Sequence, residues 1–245
     1  MNNDKFKCLT VYTSPFEKKR YGNCNGDGGY VVCMLPDGYD ALLSCGIGGN
    51  VSFDDDFLKD HAVAAYAFDN TIKHLPKGAY ASDKLQWVNK AVDSVNSDSQ
   101  TNLIEYIEQY NNIFLKMDIE GSEYNLFDSM LDGIQQQCIQ RISQIVVEFH
   151  GVSAKDRVKT VEKLLDTHTI LHAHANNACV NGHVPLAIPW LLELTFVRNT
   201  DILHHYPHFI ATANTQRFPH ACDVKNIPHL PDIDINHPPF LNVTL

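Results

Sequence analysis

Apolar residues along the chain fall into short runs that alternate with segments of helical spacing. A run of about four to eight apolar residues is typical of a buried strand, whereas apolar residues three or four positions apart predict a helix. Phe53 and Phe57, four positions apart, illustrate the helical spacing. This pattern predicts strands at 30–35, 40–45, 62–68, 85–88, 112–119, 143–150, 169–175 and 192–198. It predicts helices at 51–59, 102–110, 123–131 and 156–166.

Strands and helices in alternation predict an α/β fold, with one mostly parallel sheet covered by helices on both faces. In such sheets ligands bind at the carboxyl ends of the strands. The chain after Asn199 is rich in proline and histidine, and we expect it to wrap the surface instead of adding to the core. We therefore expect a single domain over 1–245, with a lead-in at 1–40, a core at 41–200 and a tail at 201–245.

A glycine cluster ends the first strand of the predicted sheet. Residues 42–50 read LLSCGIGGN, so the apolar run leads directly into Gly46-Ile47-Gly48-Gly49. Glycine permits a tight turn and a close approach of a ligand to the backbone. Asp69 ends the next strand, roughly 20 residues further on, where an acidic side chain can bind both ribose hydroxyls. Each feature alone fits a plain turn or a helix cap, but together they predict a nucleoside-containing cofactor.

Charged side chains follow the strand at 112–119. The segment FLKMDIEGSE places Lys116 and Asp118 on one face of that strand, next to Glu120. Charged side chains at the end of a buried strand cost free energy unless they form ion pairs or belong to a functional site. A local Lys–Asp pair with a helix-capping glutamate is the structural alternative to a functional site.

Acidic and histidine side chains also gather at the ends of the next two strands. Glu148 and His150 share a face in VVEFHG. In LHAHANN the predicted faces are His172, His174 and Asn176 on one side and Leu171, Ala173 and Ala175 on the other. Ligands of this kind suit Mn²⁺, Mg²⁺, Fe²⁺ or Zn²⁺ with water positions left open. They suit equally a general base with orienting partners and no metal.

Composition and charge narrow the class of protein. The chain has 245 residues, 44% of them hydrophobic, which is enough for a packed core. Its net charge of −10 argues against a general nucleic-acid binder. No apolar run approaches the roughly 20 residues of a membrane span, and the first residues lack the apolar region of a signal peptide. The seven scattered cysteines favour reduced thiols, so we expect a cytoplasmic protein.

Four segments resemble the FkbM-like group of S-adenosylmethionine-dependent methyltransferases. They are SCGIGGNVSFDDD, AFDN, FLKMDIEGSEYNLF and IVVEFHG. KMDIEGSE is the most specific of these matches, because the group carries a Lys-x-Asp-x-Glu-Gly-x-Glu run at its fourth strand. The segments GDGGYVV and HAHANN…LELTFVRN are similar to a branch associated with sugar and capsule modification.

The resemblance implies a Rossmann-like class I methyltransferase sheet with S-adenosylmethionine over the ends of the first two strands. The implied cofactor-binding residues are Ser44, Gly46, Gly48, Phe53, Asp69, Asn70 and Asp118. The glycines would approach the methionine portion and Asp69 the ribose. Asn50 stands where the commonest methyltransferase loop has a third glycine. The run Asp54–Asp56 is expected to cap the following helix and to place negative charge in its first turn.

Members of the wider group mostly methylate hydroxyls of sugars or polyketides, so the resemblance implies O-methylation of a sugar, a nucleotide-sugar or a capsular precursor.

Two catalytic routes remain open. In one, Asp118, Glu148 and His174 hold a divalent metal that lowers the pKa of the hydroxyl. His150 is then the base or a fourth ligand. In the other, a histidine base is oriented by a carboxylate, and Lys116 stabilises the alkoxide. The candidate catalytic residues are Lys116, Asp118, His150 and His174.

Other acceptors and other classes of protein also fit the sequence. A phenol, a phosphoramidate or a protein side chain are alternative acceptors. An NAD-linked or other nucleotide-binding domain and a non-catalytic metal-binding module are alternative classes. Tyr30 and Asp27 are candidates to line the entrance. Arg198 or the histidines of the tail are candidates for binding the phosphate of a nucleotide-sugar. Whether the chain forms a homodimer is left open.

Overall fold

The computed structural model of the chain describes residues 3–76, 84–132, 136–154, 156–179 and 188–242. The strands in these ranges are β1 (Lys18–Gly22), β2 (Gly29–Cys33), β3 (Ala41–Cys45), β4 (Ala64–Phe68), β5 (Leu85–Val88), β6 (Ala91–Val92), β7 (Gln100–Thr101), β8 (Ile113–Met117), β9 (Ile142–His150), β10 (His168–Ala175) and β11 (Leu191–Arg198). The α-helices are α1 (Ser52–Asp60), α2 (Ile104–Ile107), α3 (Glu123–Leu131), α4 (Gln136–Ile139), α5 (Val158–Leu164) and α6 (Asn199–His205). None of the helices in these ranges has the length and apolar character that a membrane span requires.

The main sheet has the strand order β10-β11-β9-β8-β3-β4-β5. The neighbours from β9 to β5 all pair in parallel. Strand β11 pairs antiparallel with both β9 and β10, so it is inserted against the direction of the others. The predicted α/β fold with a mostly parallel sheet is confirmed.

Helices cover both faces of this sheet. On one face, Leu42 and Phe114 pack in a cluster with Phe57 of α1. On the other, Leu115 packs in a cluster with residues of α3 and α5 such as Leu126. Strands β3 and β8 are buried along their whole length, which explains why they read as continuous apolar runs.

Several elements differ from the pattern-based prediction: β1, β6, β7, α4 and α6 were not predicted, and one predicted helix is shorter than expected. Strand β1 was not predicted, because its sequence KKRYG is charged and alternates little; it pairs with β2 in an antiparallel hairpin outside the main sheet. The helix predicted at 102–110 is reduced to α2. Leu103 has a φ of 65°, a left-handed conformation that cannot continue a helix, so α2 begins only after it.

The predicted faces of β10 are wrong at one position. Ala173 and Ala175 pack in the main core, but Leu171 packs with Cys33 and Leu35 near the hairpin. The register of β10 against β11 shifts at this point, with an irregularity between Ile170 and His172. An extra residue of this kind interrupts the alternation of faces along a strand.

The tail contributes more than a surface covering. Phe218, Ile235 and Phe240 are buried in the same core as the main sheet. The expectation that the tail adds nothing to the core is therefore wrong. Apolar side chains spaced among prolines reach the core without forming a strand, and such a pattern has no periodicity to detect. The division into lead-in, core and tail stays a prediction.

Candidate active site

A cavity of about 450 Å³ opens at the carboxyl ends of β3, β4 and β8. This volume is within the roughly 300–1,000 Å³ of small-molecule sites. Of the predicted cofactor-binding residues, Gly46, Gly48, Phe53, Asp69, Asn70 and Asp118 line it. Ser44 does not line it and is fully buried. Asp27 and Tyr30, which were candidates for the entrance, also line the cavity.

The glycine loop after β3 is shaped by a close chain crossing. Gly46 has a φ of +72°, and a Cβ atom there would lie 1.7 Å from the carbonyl oxygen of Asp118. Only glycine fits between β3 and the residues that follow β8. Gly48 also has a positive φ, of +49°, and its amide donates a hydrogen bond of 2.7 Å to Asp69 Oδ2. The glycines therefore build the loop and connect it to the acid at the end of β4.

Asp69 is held in place on both sides of its carboxylate. Its Oδ1 accepts hydrogen bonds from the amide and the hydroxyl of Thr71, at 2.7 Å and 2.6 Å. Burial alone would raise the pKa of Asp69, but the hydrogen bonds from Thr71 and Gly48 lower it on balance. The side chain is thus an oriented anion at the rim of the cavity.

Lys116 is buried beneath the glycine loop. Its Nζ donates to the carbonyl oxygens of Gly46, at 2.6 Å, and Cys45, at 3.4 Å. The same ammonium lies 5.5 Å from the ring centre of Tyr30. The side chain lines the cavity, so it stabilises the loop from the side on which a ligand would bind.

Asp54 does not cap α1, contrary to expectation. No side chain caps this helix, although Asp54 and Asp55 do place acidic charge in its first turn. Asp54 is almost fully buried and its Oδ1 has no hydrogen-bond partner among the described residues. Burial raises the pKa of Asp54 to about 6, against the opposing effects of Ser44 and Lys116. Asp56 accepts a hydrogen bond from the amide of Gly22 instead, which fastens β1 to α1.

Asp118, Glu148 and His150 converge beside the cavity. One ligand atom from each lies within 4.8 Å of the others, as the donors of a metal site would. His150 Nε2 lies 3.9 Å from Asp118 Oδ1 and 3.4 Å from Glu148 Oε1. Glu120 Oε2 is 3.3 Å from the same nitrogen on the exposed side. Asp118 Oδ1 has no hydrogen-bond partner among the described residues.

Each member of this group is fixed by a second contact. Tyr30 donates its hydroxyl to Asp118 Oδ2 at 3.1 Å, and Asn176 donates to Glu148 Oε2 at 2.7 Å. His150 Nδ1 donates to Glu123 Oε1 at 2.9 Å. Contacts of this kind from a second layer of residues are usual around metal ligands.

The group brings several acidic side chains together in a largely buried place, which makes it costly for all of them to be ionised at once. Burial, Asp118 and Glu193 raise the pKa of Glu148 to about 9. Burial lowers the pKa of His150, but Glu123 and the other carboxylates have a larger opposite effect, so the pKa of His150 is raised to about 9. Burial likewise raises the pKa of Asp118, against Lys116 and His150. A cation among these carboxylates would relieve their mutual repulsion.

His174 is not part of the group with Asp118 and Glu148 in the described residues. Its Nδ1 donates to Glu193 Oε2 at 2.9 Å, and its Nε2 lies 4.0 Å from Asp232 Oδ1. The reason is the position of β11 between β9 and β10, which places Glu193 opposite both His174 and Glu148. A ligand role for His174 beside Glu148 would require β9 and β10 to be neighbours in the sheet, and they are not. His150 stands where His174 was expected.

Several polar residues near the site were not anticipated. They are Glu123, Glu193, Asp223, Asn226 and Asp232. Asn226 donates to Glu193 at 2.7 Å and to Asp27 at 2.8 Å, and Asp223 pairs with His172 at 2.8 Å. Glu123 lies within KMDIEGSE and could have been suspected, whereas the tail residues carry no local signal.

Arg198 lies away from the cavity. Its guanidinium contacts Asp201 at 2.8 Å and Asn112 at 2.9 Å, near the start of β8. The cavity is at the carboxyl ends of the strands, so the suggestion that Arg198 meets a substrate phosphate is wrong.

The sheet topology, the glycine loop and the acid after β4 define a class I, Rossmann-like S-adenosylmethionine-dependent methyltransferase. A model of the methyltransferase FkbM domain matches residues 19–177, which is more than half of the chain. The chain belongs to this family. None of the curated protein sequences matches the chain.

Solved structures resemble the chain weakly. A Listeria monocytogenes protein described as an S-adenosylmethionine-dependent methyltransferase is 12% identical, with a TM-score of 0.39, over 68% of this chain and 94% of that one. The plantazolicin methyltransferase BpumL in complex with SAH is 11% identical, with a TM-score of 0.31, over 66% and 76%. Thermoplasma acidophilum 1320 is 10% identical, with a TM-score of 0.35, over 66% and 79%. Scores this low carry no argument about the substrate.

The cavity residues fit S-adenosylmethionine. Asp69 would hold the ribose hydroxyls, and the apolar side chains of Phe68, Val92 and Ile119 offer a surface for the adenine. The methionine portion would lie along the loop at 46–49. The cofactor supplies an electrophilic methyl group.

Proposed function

We propose that the protein transfers a methyl group from S-adenosylmethionine to a sugar hydroxyl, on a nucleotide-sugar or a glycan or capsular polysaccharide precursor, with help from a divalent metal. The observation that supports this is the group Asp118, Glu148 and His150. It lies beside the cavity, and Asp118 belongs to both. The group is thus placed to act on an acceptor next to the bound cofactor.

A sugar hydroxyl is a weak acid, so its deprotonation is the demanding part of the reaction. Two carboxylates and an imidazole are suitable ligands for Mn²⁺, Mg²⁺, Fe²⁺ or Zn²⁺. A metal held there would lower the pKa of the acceptor hydroxyl. Tyr30 and Asn176 keep the two carboxylates in place, so the acceptor oxygen can be held in line with the methyl group.

A set of mostly buried polar residues beside this group, of which Asp27 lines the cavity, supports a hydroxyl-rich acceptor. Glu193, Asn226 and Asp27 form a connected set of acceptors next to Glu148. Carboxylate and amide oxygens accept hydrogen bonds from sugar hydroxyls. The strand segment LELTFVRN, which supplies Glu193, is among those that resemble the sugar-modifying branch of the family. A phenol, another small molecule, a phosphoramidate or a protein side chain are the alternative acceptors.

A metal-free route is a second candidate, and the contact between His150 and Glu123 favours it. A carboxylate that accepts from Nδ1 orients the imidazole towards the acceptor. The neutral form of His150, a minor species at pH 7 because its pKa is raised to about 9, would take the proton of the hydroxyl at Nε2. Lys116 would then lie near the developing alkoxide. His174 keeps a proposed role only through Glu193, which it contacts.

The test begins with calorimetric titration of S-adenosylhomocysteine and, separately, of Mn²⁺ into the purified protein. Micromolar binding of both supports the proposal. Methyl transfer to a panel of nucleotide-sugars, phenols, phosphoramidates and peptides is then measured with and without EDTA. Asp118→Asn and Glu148→Gln should lose Mn²⁺ binding, and Glu105→Gln, an exposed glutamate on α2, should not.

Each outcome of the test discriminates between the proposals. Methyl transfer that survives EDTA contradicts the proposed need for a divalent metal and supports His150 as the base. Transfer only to a non-sugar acceptor contradicts the proposal that the acceptor is a sugar.

We also propose a cytoplasmic setting, supported by the free thiols of the described cysteines.

A further inference from the structure

Glu123 is a buried carboxylate at the start of α3, and its side chain is fully inaccessible to solvent. Its Oε1 accepts three hydrogen bonds. They come from His150 Nδ1 at 2.9 Å, from the amide of Gly121 at 3.1 Å and from the amide of Ile119 at 3.3 Å. One oxygen therefore connects the end of β9 to the loop between β8 and α3.

The loop that Glu123 closes has an unusual backbone. Glu120 and Gly121 both have positive φ, of 57° and 109°. A non-glycine residue in this conformation is costly unless its surroundings impose it. Glu123 accepts from the amides on either side of Glu120, so it stabilises this turn and with it the position of Asp118.

The same carboxylate sets the orientation of the His150 ring. Because Nδ1 donates to Glu123, Nε2 is directed towards Asp118, Glu120 and Glu148. A ring rotated by 180° would turn Cδ2 towards Glu123 and Cε1 towards the carboxylates, so Glu123 would lose its donor and the carboxylates would no longer face a ring nitrogen. An anionic partner also makes the imidazole a stronger ligand and a stronger base.

We propose that Glu123 is the positioning residue of this site. It holds the imidazole of His150 with Nε2 towards the carboxylates and fixes the turn that carries Asp118 and Glu120. This inference rests on the proposed function, in which His150 Nε2 binds a metal or accepts a proton. Glu123 itself does not line the cavity.

The experiment compares wild type with Glu123→Gln and Glu123→Ala. Glutamine can still accept the backbone hydrogen bonds and therefore separates the charge from the fold. Glu105→Gln is the matched control, because Glu105 is also in the first turn of a helix but is exposed. Three quantities are measured: the imidazole N–H resonance of His150 by NMR, Mn²⁺ affinity and S-adenosylhomocysteine affinity. The resonance is assigned by its loss in His150→Asn.

In Glu123→Gln we expect the His150 resonance to move upfield and Mn²⁺ affinity to fall by roughly 10- to 100-fold, with S-adenosylhomocysteine affinity unchanged. Glu123→Ala should lose the resonance. A resonance that stays unchanged in Glu123→Gln overturns the proposal. So does an equal loss of affinity for both ligands, which a general disturbance of the fold would produce.

The failure of the proposed function has a different signature. If wild type binds no Mn²⁺, the metal is contradicted, and the His150 resonance still decides the role of Glu123. If wild type binds no S-adenosylhomocysteine either, the whole site assignment fails, whatever the resonance shows.

Discussion

His174 and Glu193 face each other on adjacent antiparallel strands, and Nδ1 of the histidine lies 2.9 Å from Oε2 of the glutamate. Both side chains are buried. Burial lowers the pKa of His174, but Glu193 and the acids of the tail outweigh it and raise the pKa to about 9. The raised pKa favours the imidazolium form of His174 beside Glu193, one strand away from the group that includes Glu148.

This arrangement predicts that His174→Ala costs stability more than metal binding. Removing the imidazolium leaves the buried Glu193 with the hydrogen bond from Asn226 but without a cationic partner, and the loss of one member of a buried ion pair typically costs about 3–5 kcal/mol. Thermal unfolding should show this loss, and Mn²⁺ affinity should remain close to that of wild type. His150→Ala should give the opposite result, with Mn²⁺ binding abolished. If His174→Ala also abolishes Mn²⁺ binding in a folded protein, the ligand set Asp118, Glu148 and His174 is correct after all.

The chain crossing at Gly46 predicts that Gly46→Ala does not fold stably. The new Cβ would lie 1.7 Å from the carbonyl oxygen of Asp118, and the φ of +72° disfavours any side chain. We expect a loss of about 3 kcal/mol or more in the free energy of unfolding, measured by urea titration. Gly49→Ala is the control for folding, because its Cβ would meet nothing within 4 Å. If the two variants had similar stability, the backbone at Gly46 would be shown to accommodate a Cβ atom next to Asp118.

The central strands could be predicted from the sequence because burial on both faces leaves a continuous apolar run, as in β3 and β8. The glycines and Asp69 could be placed at strand ends because chain order alone brings them there. The hydrophobic pattern predicted a helix start that is too early, because Leu103 has a left-handed backbone conformation that a helix cannot include. It also failed at the charged strand β1, whose partner is β2 and not the main sheet.

The candidate site was predictable only in part, because its make-up depends on the order of strands in the sheet. Asp118, Glu148 and His150 lie on neighbouring strands and were each identified. The insertion of β11 is a tertiary feature, and no local signal shows that Glu193 separates His174 from them. Asn226 and Asp232 come from the tail, far away in sequence, so no spacing could have indicated them.

Asp69 provides a prediction about the cofactor. Asp69→Asn should weaken S-adenosylhomocysteine binding by roughly 10-fold or more, because hydrogen bonds to a charged group are worth about 1.5–3 kcal/mol. The 2′-deoxy analogue tests whether the ribose is responsible. It should bind wild type weakly and should lose little further affinity in Asp69→Asn. If both ligands are weakened equally by the substitution, Asp69 acts only through the glycine loop, by its contact with the amide of Gly48.

His168 predicts a loss of stability in mild acid. Its ring is buried, Nε2 donates to the carbonyl of Ile142 at 2.8 Å, and Nδ1 accepts from the hydroxyl of Thr167 at 2.7 Å. Burial lowers its pKa from 6.5 to about 4. Between these values the unfolded chain binds a proton that the folded protein does not, so stability is full above pH 6.5 and falls as the pH drops towards 4.

The contribution of His168 to this loss should reach about 3 kcal/mol near pH 4. Urea titrations of wild type and His168→Asn over this range measure it, and the variant should show the smaller decrease. His208→Asn, at an exposed position, is the control and should follow wild type. Parallel curves for wild type and His168→Asn would mean that the ring is protonated in the folded protein.

Asp54 predicts the opposite dependence on pH. Burial raises its pKa from 3.8 to about 6, so between these values the folded protein binds a proton that the unfolded chain has lost. Stability from this group is therefore full below pH 3.8 and is lost as the pH rises through 6. Asp54→Asn keeps the neutral form at all pH values. It should stabilise the protein by about 1–3 kcal/mol at pH 8 and by little at pH 4.

Thermal unfolding of Asp54→Asn at the two pH values measures this difference directly. Asp55→Asn makes the same chemical change in the same helical turn at a half-buried position, so it separates burial from helix electrostatics. We expect no comparable gain from it. A loss of stability in Asp54→Asn at pH 8 would show that the Asp54 carboxylate is ionised and needed by its neighbours. Lys116, whose charge favours the ionised form, would then be its partner beneath the glycine loop.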